Sequence, residues 1–306
     1  MNSQPLVSVL MNCYNGSKYI KESIESVLSQ TYKNWELIIW DNRSNDQSIK
    51  IINEFKKQEK RIKVFIADKH TNLGGGRAAA WKHLSGKYLV ILDTDDLFDK
   101  SKIEKQVSCL EKNPDCGICI SNSRLFSLRK SRILYSKTPP ISEGLSKLIE
   151  KYYISLVSVM ISLDKAKMHN ISFDDKFSHV SDFDLIIRLS SKYKLIYLNE
   201  ILSGWRVHSD SLTWKQHEKF YYELIDWTNL YLHNNLFINH KKSIIKLKNK
   251  SILNLISEKI ISLEFIESLS LIRQEKKLFI YLLPYFILII LKRSFDLINF
   301  KRKWNL

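Results

Sequence analysis

In the first third of the chain, short apolar runs alternate with amphipathic stretches. The segments 6–11 (LVSVLM), 35–40 (WELIIW), 62–67 (IKVFIA) and 87–92 (KYLVIL) each read as a buried strand. Between the first two lies SKYIKESIESVLSQ, in which Ile20, Ile24, Val27 and Leu28 fall on one helical face. DQSIKIINEFKKQ predicts a second helix with Asp46 as its N-cap, and a third is expected over Gly76 to Leu84. Further on, GICIS and LVSVMI read as strands and Leu145 to Tyr153 as helix. In HVSDFDLIIRLSSKYKLIYL, Leu185, Ile186 and Leu189 mark a helical face before a KLIYL strand, and ILSGWRVHSDSLT closes the section. Strands alternating with helices predict crossover units and a mixed, mostly parallel, Rossmann-like α/β sheet flanked by helices. In such sheets ligands bind outside the carboxyl ends of the strands.

The polar clusters fall at those ends. NCYNG follows the first strand, DNRSND the second and DTDD the fourth. Three of the chain's eight glycines stand together in NLGGGRAAA, which suggests a backbone that needs positive φ or close approach to a ligand. No GxGxxG opens the first helix and no GK[ST] follows the glycines, which disfavours a dinucleotide fold and a P-loop. Carboxylates as close as those of DTDD repel one another unless a cation sits among them. A hard divalent ion, Mn²⁺ or Mg²⁺, answers that need and commonly shares its shell with substrate phosphate. An ordinary polar turn, with Asp99 or Ser101 capping the next helix, is the structural alternative.

Composition changes the picture beyond about Trp214. Glycine disappears, lysine and aromatics dominate, and long helical periodicities replace strands. The chain is therefore expected to comprise a catalytic domain over 1–213 and a basic, mainly helical extension over 214–306. The net charge is +16, from 48 Lys and Arg against 32 Asp and Glu, so anions are the expected partners. Near the end, the apolar segment 278–291 is flanked by Lys276, Lys277, Lys292 and Arg293 and interrupted by Pro284. It is shorter than the roughly 20 residues that span a bilayer, which suits a segment lying in an anionic membrane interface. A helix packed on the catalytic domain is the alternative. The four cysteines, including the Cys116–Cys119 pair, read as buried thiols in a reducing compartment. The N-terminus lacks the basic and long apolar regions of a signal peptide.

The order VSVLMNCYN, SIESVLSQTYKNWELIIWDNRSND, NLGGGRAAA and GKYLVILDTDD resembles glycosyltransferase family 2, inverting enzymes of the GT-A fold. The resemblance runs from about Pro5 to Thr213. It implies a nucleoside diphosphate sugar as donor, a UDP-sugar favoured, and a glycan or lipid-linked glycan as acceptor. It also implies residue roles. Asn12, Tyr14 and Asn15 would line the nucleotide pocket, and Asp41 and Asn42 would meet base and ribose, Asn42 departing from the family's second acid. Gly74 would lie against the donor. Asp93 would bind ribose or support the metal, and Asp95 would be the main metal ligand. Arg77 stands earlier than the family's Arg-Asn and is assigned either to the diphosphate or to the surface. SDFDLIIRL resembles the family's acidic pair at a helix start. Asp182 would be the catalytic base, Ser181 replaces the first acid, and Asp184 is expected to cap the helix or pair with Arg188. GWRVHSDSLT resembles the family's loop that closes the nucleotide site; in it Arg206 would meet the diphosphate, and His208 would bind the metal or the diphosphate unless it is an ordinary structural histidine.

Resemblance and tail together imply assembly of a bacterial surface glycan by a peripheral protein on the cytoplasmic face of the membrane. Two other classes share some of these features. A nucleotidyltransferase would want a further metal carboxylate and a basic pyrophosphate grip, and neither is evident. A basic nucleic-acid-binding protein finds support in the charge alone, since no zinc finger, RNA-recognition or helix-turn-helix signature is legible; nucleic acid is not expected as a partner.

Overall fold

The computed structural model describes residues 4–210 and 217–261, together with residues 267, 271 and 272. The apolar segment 278–291 and its basic flanks lie outside the described residues. The chain divides into two compact units, one of residues 1–148 and 152–206, the other of residues 149–151 and 207–306.

The first unit is built on a nine-stranded sheet in the order β3-β2-β1-β4-β8-β6-β9-β5, with β7 paired to β6. β1 (Val7–Cys13), β2 (Trp35–Asp41), β3 (Ile62–Ile66) and β4 (Tyr88–Ile91) are the strands that the apolar runs predict, and they pair in parallel. The crossovers are α1 (Ile20–Leu28), α2 (Ser48–Gln58) and α3 (Leu73–Trp81). β1 is buried along its whole length, because a parallel strand covered on both faces exposes neither set of side chains. Beyond β4 come β5 (Leu97–Phe98), α4 (Lys102–Lys112), β6 (Cys116–Phe126) and β7 (Ser131–Ile133). There follow α5 (Gly144–Glu150), β8 (Val159–Ser162), α6 (Leu163–Met168), α7 (Ser181–Ser190) and β9 (Lys194–Arg206). β8 runs antiparallel to both β4 and β6, so the sheet is parallel on one side of β4 and mixed on the other.

Three local expectations shift. α3 begins at Leu73, before the glycines, because Asn72 accepts the Gly75 amide at 2.6 Å and caps it. The N-cap of α2 is Gln47, while the Asp46 carboxylate takes the Ser48 amide at 2.9 Å. The GWR that opens the expected closing loop is strand: β9 continues through Arg206 because it pairs with β6 on one side and with β5 on the other. Gly204 allows that pairing, since a Cβ there would lie 2.8 Å from the Phe126 ring. Cys13, Cys116 and Cys119 are buried and Cys109 is partly buried, all as free thiols.

The second unit contains the helices His217–Tyr231 and Lys241–Ile261, joined through a 3₁₀ turn over Asn235–His240. Trp227, Tyr231 and Phe237 form an aromatic core with ring centroids 4.7–5.6 Å apart. Among the described residues no helix is long and apolar enough to cross a membrane.

Candidate active site

The registers of β1 with β2 and β4 bring the loops after all three strands to one edge. They are stitched together there. The Asn15 backbone sits at φ 52°, a conformation Asn tolerates better than most residues. Its amide donates to Ser44 Oγ and its Oδ1 accepts the Asn45 amide, both at 2.9 Å. The Gly16 amide donates to Ser48 Oγ and the Ser17 amide to Asp46. Burial alone would raise the Asp46 carboxyl, but hydrogen bonds from Ser48 and Ser17 outweigh it and hold it down at about 2. Gly16 also faces the acidic turn, where an added Cβ would come within 2.8 Å of Thr94 Oγ1.

Asp41 is buried, and its Oδ2 accepts the Ser44 amide at 3.1 Å. Its Oδ1 has no hydrogen-bond partner, a buried acceptor available to a donor group of a ligand. Asn42 is placed differently. Its Nδ2 donates to the Thr71 carbonyl at 2.7 Å, and its Oδ1 accepts from the Thr71 amide and hydroxyl. Its carbonyl meets His70 Nδ1 at 2.9 Å, and the His70 ring lies 4.3 Å from that of Tyr14. Asn42 thus braces the His70–Thr71 loop, while Tyr14 presents an exposed ring. His70 and Thr71 escape a sequence reading because no motif contains them.

The glycines of α3 are helical, and the close approach they allow is to protein. A Cβ on Gly76 would lie 2.4 Å from Asn12 Oδ1, and one on Gly74 would lie 1.7 Å from the Phe177 carbonyl oxygen. Asn12 is buried with Oδ1 lacking a partner.

Much of the cation that DTDD requires comes from the protein. Arg77, only 3% exposed, places Nη2 at 2.8 and 3.1 Å from the two Asp93 oxygens and donates from Nη1 to Ser181 Oγ at 3.1 Å. Its guanidinium also lies 5.6 Å from the Phe173 ring centroid. One buried arginine therefore ties the end of β4 to the start of α7. Arg206 holds the other side of the turn. Its amide donates to Asp96 Oδ1 at 2.9 Å, its Nε to the Asp95 carbonyl at 2.8 Å and its Nη2 to Glu22 at 2.7 Å. Its guanidinium lies against Tyr19 and Phe126. Ser23 Oγ reaches the carbonyls of Thr94 and Asp96, each at 2.8 Å. Burial, reinforced by Asp95 and Asp93, pushes the Asp96 carboxyl well above the usual carboxylate range. Asp96 is thereby a buried member of the turn, and the Asp95 side chain stands partly exposed at its tip.

At the start of α7, Asp182 and Asp184 separate. Asp184 is fully buried and receives Arg188 Nε at 3.0 and 2.9 Å, the pairing that its i,i+4 spacing predicts. Asp182 is partly exposed, with the Tyr152 hydroxyl 3.5 Å from its Oδ2. Burial pushes its carboxyl above the ordinary carboxylate range, Arg77 and the first-turn amides offset part of that rise, and Asp93 adds a smaller upward push. Tyr152, in the stretch KYY, is a third residue that no motif reveals.

The side chains fit a metal that is completed by substrate. Among the described residues no three His, Cys, Asp or Glu side chains converge as a metal cage. Asp93 is bonded by the Arg77 guanidinium and Asp96 by the Arg206 amide, and the Asp95 carboxylate, partly exposed at the tip of the turn, offers a hard oxygen donor at the edge. One carboxylate plus phosphate oxygens is a usual way to hold Mg²⁺. His208 belongs to the second unit.

This arrangement has close parallels. Residues 8–159 match the family model described as glycosyl transferase family 2. An uncharacterised glycosyltransferase of Methanocaldococcus jannaschii is 30% identical over 67% of this chain and 71% of its own length. The Escherichia coli UDP-Glc:alpha-D-GlcNAc-diphosphoundecaprenol beta-1,3-glucosyltransferase WfgD is 30% identical over 68% of this chain and 79% of its own. Among solved structures, the mannosyltransferase PcManGT of Pyrobaculum calidifontis, in complex with GDP-Man and Mn²⁺, superposes over 99% of this chain and 88% of its own. The TM-score is 0.62 at 13% identity, a likeness of GT-A fold. With the sheet order, the acidic turn and these relatives in hand, the chain belongs to glycosyltransferase family 2 and is a glycosyltransferase.

Proposed function

We propose that this enzyme transfers a sugar, with inversion, from a nucleoside diphosphate sugar to a hydroxyl of a glycan or lipid-linked glycan in the assembly of a bacterial surface polysaccharide. The observation that carries the reading is the Arg77 bridge, which holds the acidic turn after β4 and the start of α7 in one site. A donor seated at the turn and an acceptor at Asp182 would meet between them. The E. coli relative, whose name gives a UDP-sugar donor and a diphosphoundecaprenol-linked acceptor, supports the donor and acceptor classes and favours UDP.

In this reading the orphan Oδ1 of Asp41 accepts a hydrogen bond from the base, and Tyr14 offers it a ring to stack on. Asn12 and Asn15 shape the pocket from the β1 side, and Gly74 acts through the close packing of α3 on the Phe177 carbonyl. Asn42 acts through the His70–Thr71 loop, and Arg206 through the turn whose backbone it holds. Asp95 would hold Mn²⁺ or Mg²⁺ together with diphosphate oxygens, and the ion, when bound, supplies positive charge to the leaving diphosphate. Asp182 accepts the acceptor hydroxyl's proton as its oxygen attacks the anomeric carbon on the face opposite the diphosphate. Burial raises the proton affinity of the Asp182 carboxyl, as suits a proton acceptor, and the nearby Arg77 and the N-terminus of α7 offset part of that rise. A single displacement of this kind inverts the anomeric centre, through an oxocarbenium-like transition state.

The cation-fenced segment 278–291 supports a peripheral position on the cytoplasmic face of the membrane. The test of function is a panel of UDP-, GDP- and dTDP-sugars with Mn²⁺, read by nucleotide release with and without a glycan acceptor. Turnover of one nucleotide class is expected. Failure of every donor to turn over in a folded, metal-loaded enzyme would overturn the reading.

A further inference from the structure

β6 and β7 make a two-stranded ribbon at the edge that carries the acidic turn. The register sets Phe126, the last residue of β6, beside Arg206, whose Nε holds the Asp95 carbonyl. The ribbon therefore leaves the sheet next to the site. Among the described residues β7 pairs with β6 alone, and all three of its residues are exposed. The connecting turn bears Leu128, whose side chain is fully exposed, and Ile133 on β7 is 51% exposed.

Solitary exposed leucines are ordinary; the charge around this one is not. From Cys116 to Ser142 there is no Asp or Glu, while Arg124, Arg129, Lys130, Arg132 and Lys137 are all exposed. Five exposed cations, with no acid in the same stretch of chain, accompany the apolar tip of the ribbon. A nucleic acid or a soluble acidic glycan would satisfy the cations and leave Leu128 in water. An anionic bilayer satisfies both features, because the leucine enters the acyl boundary while the cations meet lipid phosphates.

We propose that the β6–β7 ribbon is a membrane-docking element that seats the acidic edge of the sheet on an anionic phospholipid surface. The ribbon would hold the site at the headgroup level, where a lipid-linked hydroxyl is presented. The inference depends on neither the donor nor the identity of the base, so failure of either leaves it standing.

The experiment uses the full chain and vesicles of phosphatidylglycerol with phosphatidylcholine, against phosphatidylcholine alone. Each cation near such a surface contributes about fivefold to partitioning at low salt. Arg129→Glu, Lys130→Glu and Arg132→Glu together should therefore lower flotation at least about 10²-fold. Leu128→Asp should lower it on the same vesicles. Both variants should keep wild-type thermal unfolding and donor turnover, because the altered side chains are exposed. A polarity-sensitive dye on Leu128→Cys should shift to the blue on anionic vesicles, beyond any shift of the wild type labelled at its native thiols. The proposal is overturned if the charge reversal leaves flotation unchanged. It is equally overturned if dextran sulfate captures the protein through these cations while the dye at the tip stays in water on vesicles.

Discussion

Two pairs of acids, Asp95 with Asp96 and Asp182 with Asp184, stand at opposite ends of the same arginine-bridged site, and in each pair one member is consumed by the fold. Asp96 is buried under the Arg206 amide and its carboxyl is pushed up by burial and by its neighbours. Asp184 is buried in a direct pair with Arg188. Their partners Asp95 and Asp182 stand partly exposed at the edge. The pairs differ in how the remaining acid is electrostatically set. The β4 turn has two arginines bonded into it, Arg77 through the Asp93 carboxylate and Arg206 through the turn's backbone and the Asp96 carboxylate. Asp182 has no such bond; Arg77 acts on it across a gap while bonded to Asp93 and Ser181. The first arrangement suits a group that shares a cation with substrate, the second a group whose proton affinity must be tuned.

The largest effect that follows from this contrast is on chemistry at Asp182. Asp182→Asn keeps the shape and removes the proton acceptor, so the transfer rate should fall about 10²–10⁴-fold, with nucleotide affinity by calorimetry near wild type. Normal turnover in that variant would assign the base elsewhere. Asp95→Asn should divide the same two readouts differently. Turnover should fall about 10²-fold, by loss of charge stabilisation at the leaving group, and nucleotide affinity measured with Mn²⁺ should fall with it. An unaltered Mn²⁺ titration would remove Asp95 from the metal site.

Arg77→Met sharpens the contrast further, with a smaller expected loss of about tenfold through misplacement of Asp93 and α7. Its diagnostic readout is pH. Asp182, faced by Tyr152, Arg77 and Asp93, acts only when ionised, so the acid limb of the rate profile follows its carboxyl. Removing the guanidinium removes a downward influence and leaves Asp93 unbalanced, and both push that carboxyl up. The acid limb should move to higher pH, and Arg77→Lys should restore part of the shift. A limb that stays in place in Arg77→Met, while Asp182→Asn is dead, would separate Arg77 from the tuning of the base.

The parallel half of the sheet was legible because four buried strands repeat one local pattern, an apolar run followed by a polar cluster. The β9 extension through Ile201–Arg206 was not, since Gly204 and Trp205 read as loop until β6 and β5 supply long-range partners. The position of the acidic turn was legible from a strand ending in DTDD. The source of its balancing charge was not: Arg77 stands 16 residues before Asp93 and 104 before Ser181, and only the packing of α3 joins them. Asn42 likewise carried a ligand assignment from its motif, whereas its amide is committed to Thr71 by the fold of a loop that sequence does not position.

Asp184→Asn should have the smallest effect on chemistry and a distinct effect on the fold. Asp184 sits two residues from Asp182 on the same helix, with a side chain that is fully buried and faces Arg188 rather than the site edge. Arg188 also donates to the Ser172 carbonyl, so this pair fastens α7 to the segment before it. Removing one charge of a buried pair leaves the other without its counter-ion and costs about 3–5 kcal/mol. Here Asn retains one acceptor and Arg188 is partly exposed, which lowers the expected loss to about 2–3 kcal/mol. That loss should appear as a lower unfolding midpoint in denaturant at unchanged m-value, while turnover per folded molecule, measured well below the transition, stays within about twofold of wild type. A stable but inactive Asp184→Asn would reverse the roles of the two acids on α7.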